Sequence, residues 1–259
     1  MSASRELLQT RSLRVDIAGR VLCDQLNFRL NRGECWGILG GNGIGKTTLL
    51  RTLAGLCQDW HGEILIEGQD LRRWKRKLLA QRLGMLFQDS MDVFPVTVLE
   101  TVLSGRYPYI PVFAMEGKHD REIAMQALSA VELDQMQQRQ VDSLSGGERR
   151  RLAIATLMVQ DPDIWLLDEP TNHLDLHHQV TLLEQVLRRV SEQNGAVMMV
   201  MHDINLLTRF CSHAMLMVNH ENILCGDLDT VLTTENLSAL YRHPVKRIAE
   251  GDDVFFYPA

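Results

Sequence analysis

The chain has 259 residues, of which 45% are hydrophobic and 23% charged, enough apolar material for one full core with a modest subdomain. Its net charge of -6 gives no basic surface that would favour nucleic acid or anionic lipid as a main partner. Five scattered cysteines, Cys23, Cys35, Cys57, Cys211 and Cys225, make no C-x-x-C pair and read as buried thiols of a reducing compartment. With no signal-like N-terminus and no apolar stretch of about 18 residues or more, the expectation is a cytoplasmic chain that does not itself cross a membrane.

In chain order, "SLRVDIAGRVLCDQLNFRLNRG" alternates apolar and polar residues between turn signals, which predicts an antiparallel layer at an edge. "ECWGILG", "GEILIEG", "RLGMLFQ", "DIWLLDE", "GAVMMVMH" and "HAMLMVN" are short apolar runs and predict strands buried on both faces of a mainly parallel sheet. Met198, Met199, Met201, Met215 and Met217 sit in two of them and read as core filling. Between Gln88 and Pro162 the strand signal disappears. "VTVLETVLSG", "HDREIAMQALSAVEL" and "GERRRLAIATLMVQ" predict helices, with Ile123, Ala127, Leu128 and Val131 on one face of the second. The expected architecture is α/β: a single 1–259 unit with a helical subdomain at 89–161 inserted in a core of 1–88 plus 162–259. The loop "RYPYIPVFAMEGKH" reads as a surface connection or docking edge.

"GGNGIGKT" at residues 40–47 matches G-x-x-x-x-G-K-[ST], follows an apolar strand and opens a predicted helix at 47–56. Gly40, Gly41, Asn42, Gly43, Ile44, Gly45, Lys46, Thr47 and Thr48 are the expected nucleotide cradle. Backbone N–H groups would wrap the β-phosphate, Lys46 would neutralise β/γ oxygens and Thr47 would hold Mg²⁺. "DIWLLDEP" ends a strand in two carboxylates, Asp168 to order the metal and Glu169 to polarise water. His202 stands at another strand tip, as a structural histidine or as a γ-phosphate or water contact. His173 and His177 are four apart, yet with no third well-spaced ligand they read as the entry to a helix after Asp175.

A second anion site is written into "DSLSGGERRRLAIA". Its glycine pair precedes a predicted helix whose start bares unpaired N–H groups and the positive end of the dipole. Arg149, Arg150 and Arg151 in that helix read as a solvated face. One nucleotide should need only one cradle, and this chain has two.

These motifs together resemble the ATP-binding subunit of ABC transporters over nearly the whole chain. The P-loop, Gln88 after a strand, "LSGGE" at 144–148, "LLDEP" at 166–170, "NHLD" at 172–175 and His202 occur in that family's order. The resemblance implies a P-loop NTPase core with an antiparallel β layer and a helical subdomain, ATP and Mg²⁺ as ligands, and two copies arranged head to tail. Ser145, Gly146 and Gly147 of one copy would close over ATP held by the other's P-loop, which accounts for the two cradles. It also implies that Glu169 is the base for water, that Gln88 links Mg²⁺ to the helical insert, that Asp175 communicates across the dimer, and that His202 positions the γ-phosphate. The family commonly stacks adenine on an aromatic near the first turn, whereas Ile17, Ala18, Arg20 and Val21 occupy that stretch here. Weaker discrimination of ATP from GTP is therefore expected. Comparable turnover constants for the two would bear it out, and a strong ATP preference would sink it.

"TVLETVLSGRYPY", "DEPTNHLDLHHQ" and the tail "YRHPVKRIAEGDDVFFYPA" are similar to importers of iron-siderophores, haem and cobalamin. That branch implies a multi-spanning membrane permease subunit docking at residues 87–111, a separate substrate-binding protein, no nucleic acid, and a place on the inner face of the cell membrane. Two other readings use the same nucleotide motifs: the ATPase subunit of an ABC exporter, and a soluble ABC-type ATPase in assembly or regulation.

Overall fold

The computed structural model of the chain describes residues 6–17, 19–88, 95–251 and 253–259. Two long strands come first, β1 (Glu6–Ile17) and β2 (Arg20–Asn31), followed by β3 (Cys35–Gly40) and helix α1 (Lys46–Leu53). Next come β4 (Trp60–Ile66), the short β5 (Gln69–Asp70), one turn of helix α2 (Arg76–Leu79) and β6 (Leu83–Leu86). Helices α3 (Val98–Leu103), α4 (Lys118–Ala130) and α5 (Gly146–Gln160) follow one another with no strand between them among the described residues. The chain then alternates through β7 (Ile164–Asp168), α6 (Leu176–Glu192), β8 (Ala196–Val200), α7 (Ile204–Phe210) and β9 (His213–Met217). It closes with β10 (Ile223–Asp227), α8 (Leu228–Val231), α9 (Thr234–Tyr241) and the antiparallel pair β11 (Val245–Glu250) and β12 (Asp253–Pro258).

These elements form two compact units. The first takes in the described residues up to Trp74, with Leu166–Asp168 and Ala196–Ala259; the second is Lys75–Trp165 with Glu169–Gly195. In the first unit the antiparallel sheet runs β2-β1-β4-β5. β2 shows why: Leu26, Phe28 and Leu30 are buried while Gln25, Asn27 and Arg29 are exposed, the period of two of a half-wet sheet. A second sheet runs β10-β9-β3-β8-β7, with β3 parallel to both β8 and β9. β8 and the end of β9 are buried throughout, and the five methionines expected in the core are there. Each fully buried Met contributes about 1.5–3 kcal/mol relative to an exposed one.

In the second unit β6 lies against the start of β7, where the Ile164 N–H donates to Arg82 O at 2.8 Å. α5 is apolar on most of its surface, burying Leu152, Ile154, Ala155, Leu157, Met158 and Val159, because α3 and α4 both pack on it. Gly105 permits that approach: a Cβ there would sit 2.4 Å from the Thr156 carbonyl oxygen. On α4, Ala127, Leu128 and the following Val131 are buried as expected, while Ile123 is only half-buried.

Three expectations are corrected. "GEILIEG" is not a strand of the parallel core. It lies in β4 and pairs antiparallel with β1, Leu8 opposite Ile66 and Thr10 opposite Ile64. Ile64 and Ile66 are buried, but Leu65 is half-exposed and Glu63 exposed, so three adjacent apolar letters conceal a one-sided strand. α1 is shorter than the predicted 47–56. Gly55, at φ +70, donates to Thr52 O while the Leu56 N–H donates to Arg51 O, both at 2.9 Å, and this left-handed glycine cap ends the helix. Of the five cysteines, Cys23, Cys35 and Cys211 are buried, whereas Cys57 and Cys225 are part-exposed. Among the described residues no helix is long and apolar enough to cross a membrane.

Candidate nucleotide-binding site

β3 feeds residues 40–47, where the backbone turns back on itself. Gly43 and Gly45 take φ +74 and +106, a region that L side chains rarely adopt. A Cβ placed on Gly41 or Gly43 would meet nothing within 4 Å, so the concave side of the loop is open backbone. Gly45 caps α1 without a side chain, leaving the first-turn N–H groups and the dipole for an anion. Leu22 packs from β2 against the loop at Gly45, 2.9 Å from where a Cβ would stand. Lys46 is only 6% exposed, and its Nζ donates to Gly40 O at 2.8 Å and Gly41 O at 3.1 Å. The Ile44 N–H donates to Gly41 O, Thr47 and Thr48 are half-buried on α1, and Asn42 is exposed.

Neighbouring strands bring two more candidates to the first unit. The Met201 N–H donates to Ile38 O at 3.1 Å, which ties the chain leaving β8 to β3, and the exposed His202 is the next residue. Asp168, fully buried, is the last residue of β7. Where an adenine-facing aromatic was absent from the sequence, Ile17 ends β1, exposed Arg20 opens β2 and Val21 is half-buried; Ala18 lies outside the described residues.

The second unit gathers Gln88, Glu169 and the glycine-pair helix. Glu169 is 7% exposed and holds φ +52, uncommon for a non-glycine residue and costing on the order of 1–3 kcal/mol. Its Oε2 accepts from Gln88 Nε2 at 3.0 Å and from Asn172 Nδ2. Asn172, which the sequence marked only as the first letter of "NHLD", therefore helps to orient the carboxylate.

At the start of α5 the letters S-G-G-E form a reciprocal cap that sequence reading missed although S-x-x-E is its signature. Ser145 Oγ accepts from the Glu148 N–H at 3.2 Å, and Glu148 Oε2 accepts from the Ser145 N–H at 2.7 Å. Such a cap contributes about 1 kcal/mol to its helix. The Ser145 N–H holds the Glu148 carboxyl below its ordinary value, so this stabilisation is present above the usual carboxylate range and is lost as pH falls through the lowered pKa. Gly146 and Gly147 face the 172–175 segment, where a Cβ on Gly147 would lie 3.3 Å from His173 O. Asp175 caps α6 by accepting from the His178 N–H at 2.9 Å, which holds its carboxyl low. The His178 ring also meets Asp175 Oδ1 at 2.8 Å, and His177 lies edge-on to it.

The three arginines after the glycine pair are not a solvated face. Arg149 donates to Leu144 O and Asp142 O, and Arg151 to Val131 O. Arg150 is 7% exposed and donates to Phe87 O and Pro170 O. Cations are unfavourable at a helix start, and here backbone carbonyls from other segments offset that cost.

Taken singly, Thr47 and Asp168 in the first unit carry a hydroxyl and a carboxylate and Gln88 in the second an amide oxygen, each a hard oxygen donor rather than a ligand typical of zinc or copper. Of the expected docking edge, 89–94 lie outside the described residues. Phe87, Tyr107 and Tyr109 are exposed, and the loop is held by Gln81 Nε2 to Pro108 O and Tyr109 Oη to Gln160 O.

The ABC transporter family model matches residues 23–172 of the chain. The ferric enterobactin transport ATP-binding protein FepC of Escherichia coli is 33% identical over 241 residues, covering 93% of this chain and 89% of that one. The hemin import ATP-binding protein HmuV of Hahella chejuensis is 36% identical over 241 residues, covering 87% and 91%. Among solved structures, a chain described as part of a metal-chelate type ABC transporter in an inward-facing conformation superposes with a TM-score of 0.84 at 32% identity, covering 98% of both. With its phosphate loop, its capped glycine-pair helix and these matches, the chain belongs to the ABC transporter family as one of its ATP-hydrolysing subunits.

Proposed function

We propose that this subunit energises uptake of an iron-siderophore, haem or cobalamin-type cargo. It works as an ATP-bridged homodimer on the inner face of the cell membrane, beneath a separate multi-spanning permease subunit that a substrate-binding protein supplies. The observation that carries the reading is that one chain holds two different helix starts suited to an anion, the open loop of 40–47 and the capped start of α5. Two copies placed head to tail give each ATP one of each. The cargo class follows from the relatives, of which one is described as transporting ferric enterobactin and another as importing hemin.

In this reading the N–H groups of 41–46 and the Lys46 ammonium hold the β- and γ-phosphates, while Ser145, Gly146 and Gly147 of the second copy close over the γ-phosphate. Thr47, Asp168 and Gln88 would hold Mg²⁺, which when bound neutralises charge on the β- and γ-oxygens. Glu169 takes the proton of the attacking water as its oxygen bonds to the γ-phosphorus and the bond to the ADP oxygen breaks. His202 orients the γ-phosphate, and Asp175 carries the state of one site to the other copy. The helical subdomain at 89–161 and the docking edge at 87–111 pass closure of the dimer to the permease.

The test is to tag the full chain carrying Glu169→Gln, solubilise membranes gently with ATP present, and identify what co-purifies. A many-spanning membrane protein in equal copies with this chain is the expected result. Recovery only from the soluble fraction, alone or with soluble partners, overturns the transporter reading in favour of an assembly or regulatory ATPase.

A further inference from the structure

We propose that Arg150 is a positioning residue that links the glycine-pair helix to Gln88, assigned above to the metal, and Glu169, assigned to the attacking water. The link rests on the reading that Gln88 and Glu169 act on the nucleotide. Arg150 is the fifth residue of α5, about 7 Å along the axis from Ser145 at the usual rise per residue. Burying a guanidinium there is unfavourable twice over, from desolvation and from the helix dipole, so its retention in the core requires strong partners.

Among the described residues, such partners include two backbone carbonyls from separate segments. Arg150 Nη1 donates to Phe87 O at 2.6 Å, and Nε donates to Pro170 O at 3.2 Å. Phe87 immediately precedes Gln88, and Pro170 immediately follows Glu169. Gln88 and Glu169 are themselves joined, Nε2 to Oε2, at 3.0 Å. One rigid fork therefore grips the backbone next to each member of a hydrogen-bonded pair. The grip reaches the side chains because little slack separates them. Pro170 has a fixed φ, and Glu169 sits at φ +52, a conformation that persists only where surroundings hold it.

The consequence concerns communication between sites. In the head-to-tail dimer, α5 of a chain engages the nucleotide on the other copy, whereas Gln88 and Glu169 belong to the chain's own nucleotide. A shift of α5 on engaging phosphate would be carried by Arg150 to Gln88 and Glu169, so that each site prepares the other for hydrolysis.

The experiment uses the full chain in the membrane complex that co-purifies with it and measures kcat, KM and ATP affinity for Arg150→Met, Arg150→Lys and Gln88→Ala, alone and combined. Met keeps the apolar stem and removes the fork; Lys keeps the charge, but a compact ammonium does not reproduce the two-point grip. Arg150→Met is expected to lower kcat about tenfold with ATP affinity within about twofold of wild type, and Arg150→Lys to fall between the two. Combined with Gln88→Ala, either change is expected to cost less than the product of the two separate losses, since one arm of the link acts through that residue. Losses that multiply in the double variant, or wild-type kcat in Arg150→Met, overturn the link and leave the roles of Gln88 and Glu169 standing. Wild-type turnover in Gln88→Ala overturns the underlying reading instead. If Arg150→Met does not fold, Arg150→Lys carries the same comparison.

Discussion

Glu169→Gln is expected to lower ATP turnover by about a thousandfold, within the range for loss of a general base, while ATP still binds and bridges the dimer. The substitution keeps shape and removes the group that accepts a proton. The amide oxygen of glutamine can still accept from Gln88 Nε2 and Asn172 Nδ2, donors that orient the carboxylate. The φ of +52 at this position is as tolerable to glutamine as to glutamate, so the local fold should persist. The groups proposed to hold the nucleotide, Lys46 and the backbone of 41–46, are untouched. In the proposed dimer, hydrolysis removes the phosphate that two helix starts share, so a chain unable to hydrolyse should accumulate as an ATP-bound dimer. Phosphate release and size-exclusion elution, each with and without ATP, check both halves. Wild-type phosphate release refutes the role of Glu169, and lost turnover without an ATP-dependent dimer refutes the bridging role of the nucleotide.

The parts of this site that were legible in the sequence are those whose chemistry lies in the local chain. The shape of residues 40–47 could be read because a glycine turn opening a helix is fixed within the local chain. Asp168 could be placed because a buried apolar strand has to end somewhere, and its end carries the carboxylate. The cap at Ser145 and Glu148 is equally local, since S-x-x-E sets both partners within one turn. Arg150 was a different case. Three consecutive arginines look like a wet helix face by composition, and nothing within the helix tells that the middle one reaches carbonyls 63 and 20 residues away in sequence. "GEILIEG" failed for the same reason, since whether Leu65 faces core or water is decided by β1 alongside, not by its own neighbours.

Lys46→Ala should shrink the thermal stabilisation that ATP gives the wild-type chain and should also lower the melting temperature without nucleotide. The two effects have separate causes in the structure. Charge-assisted hydrogen bonds contribute about 1.5–3 kcal/mol each, so removing the ammonium from a phosphate weakens ATP binding about tenfold to a hundredfold. At fixed ATP that loss appears as a smaller ligand-induced shift, since stabilisation grows with the logarithm of ligand concentration over Kd. In the chain itself, Lys46 Nζ also clasps Gly40 O and Gly41 O, fastening the end of β3 to the loop. Gly41 is exposed and can turn to water, so losing the clasp should cost only about 1 kcal/mol, a fall of about 2–4 °C for a chain of this size. A scan with and without ATP separates the two effects. An unchanged ATP shift would sink the assignment of Lys46 to the phosphates. An unchanged nucleotide-free melting temperature would mean that the clasp adds nothing to the fold and that the lysine is retained for its ligand alone.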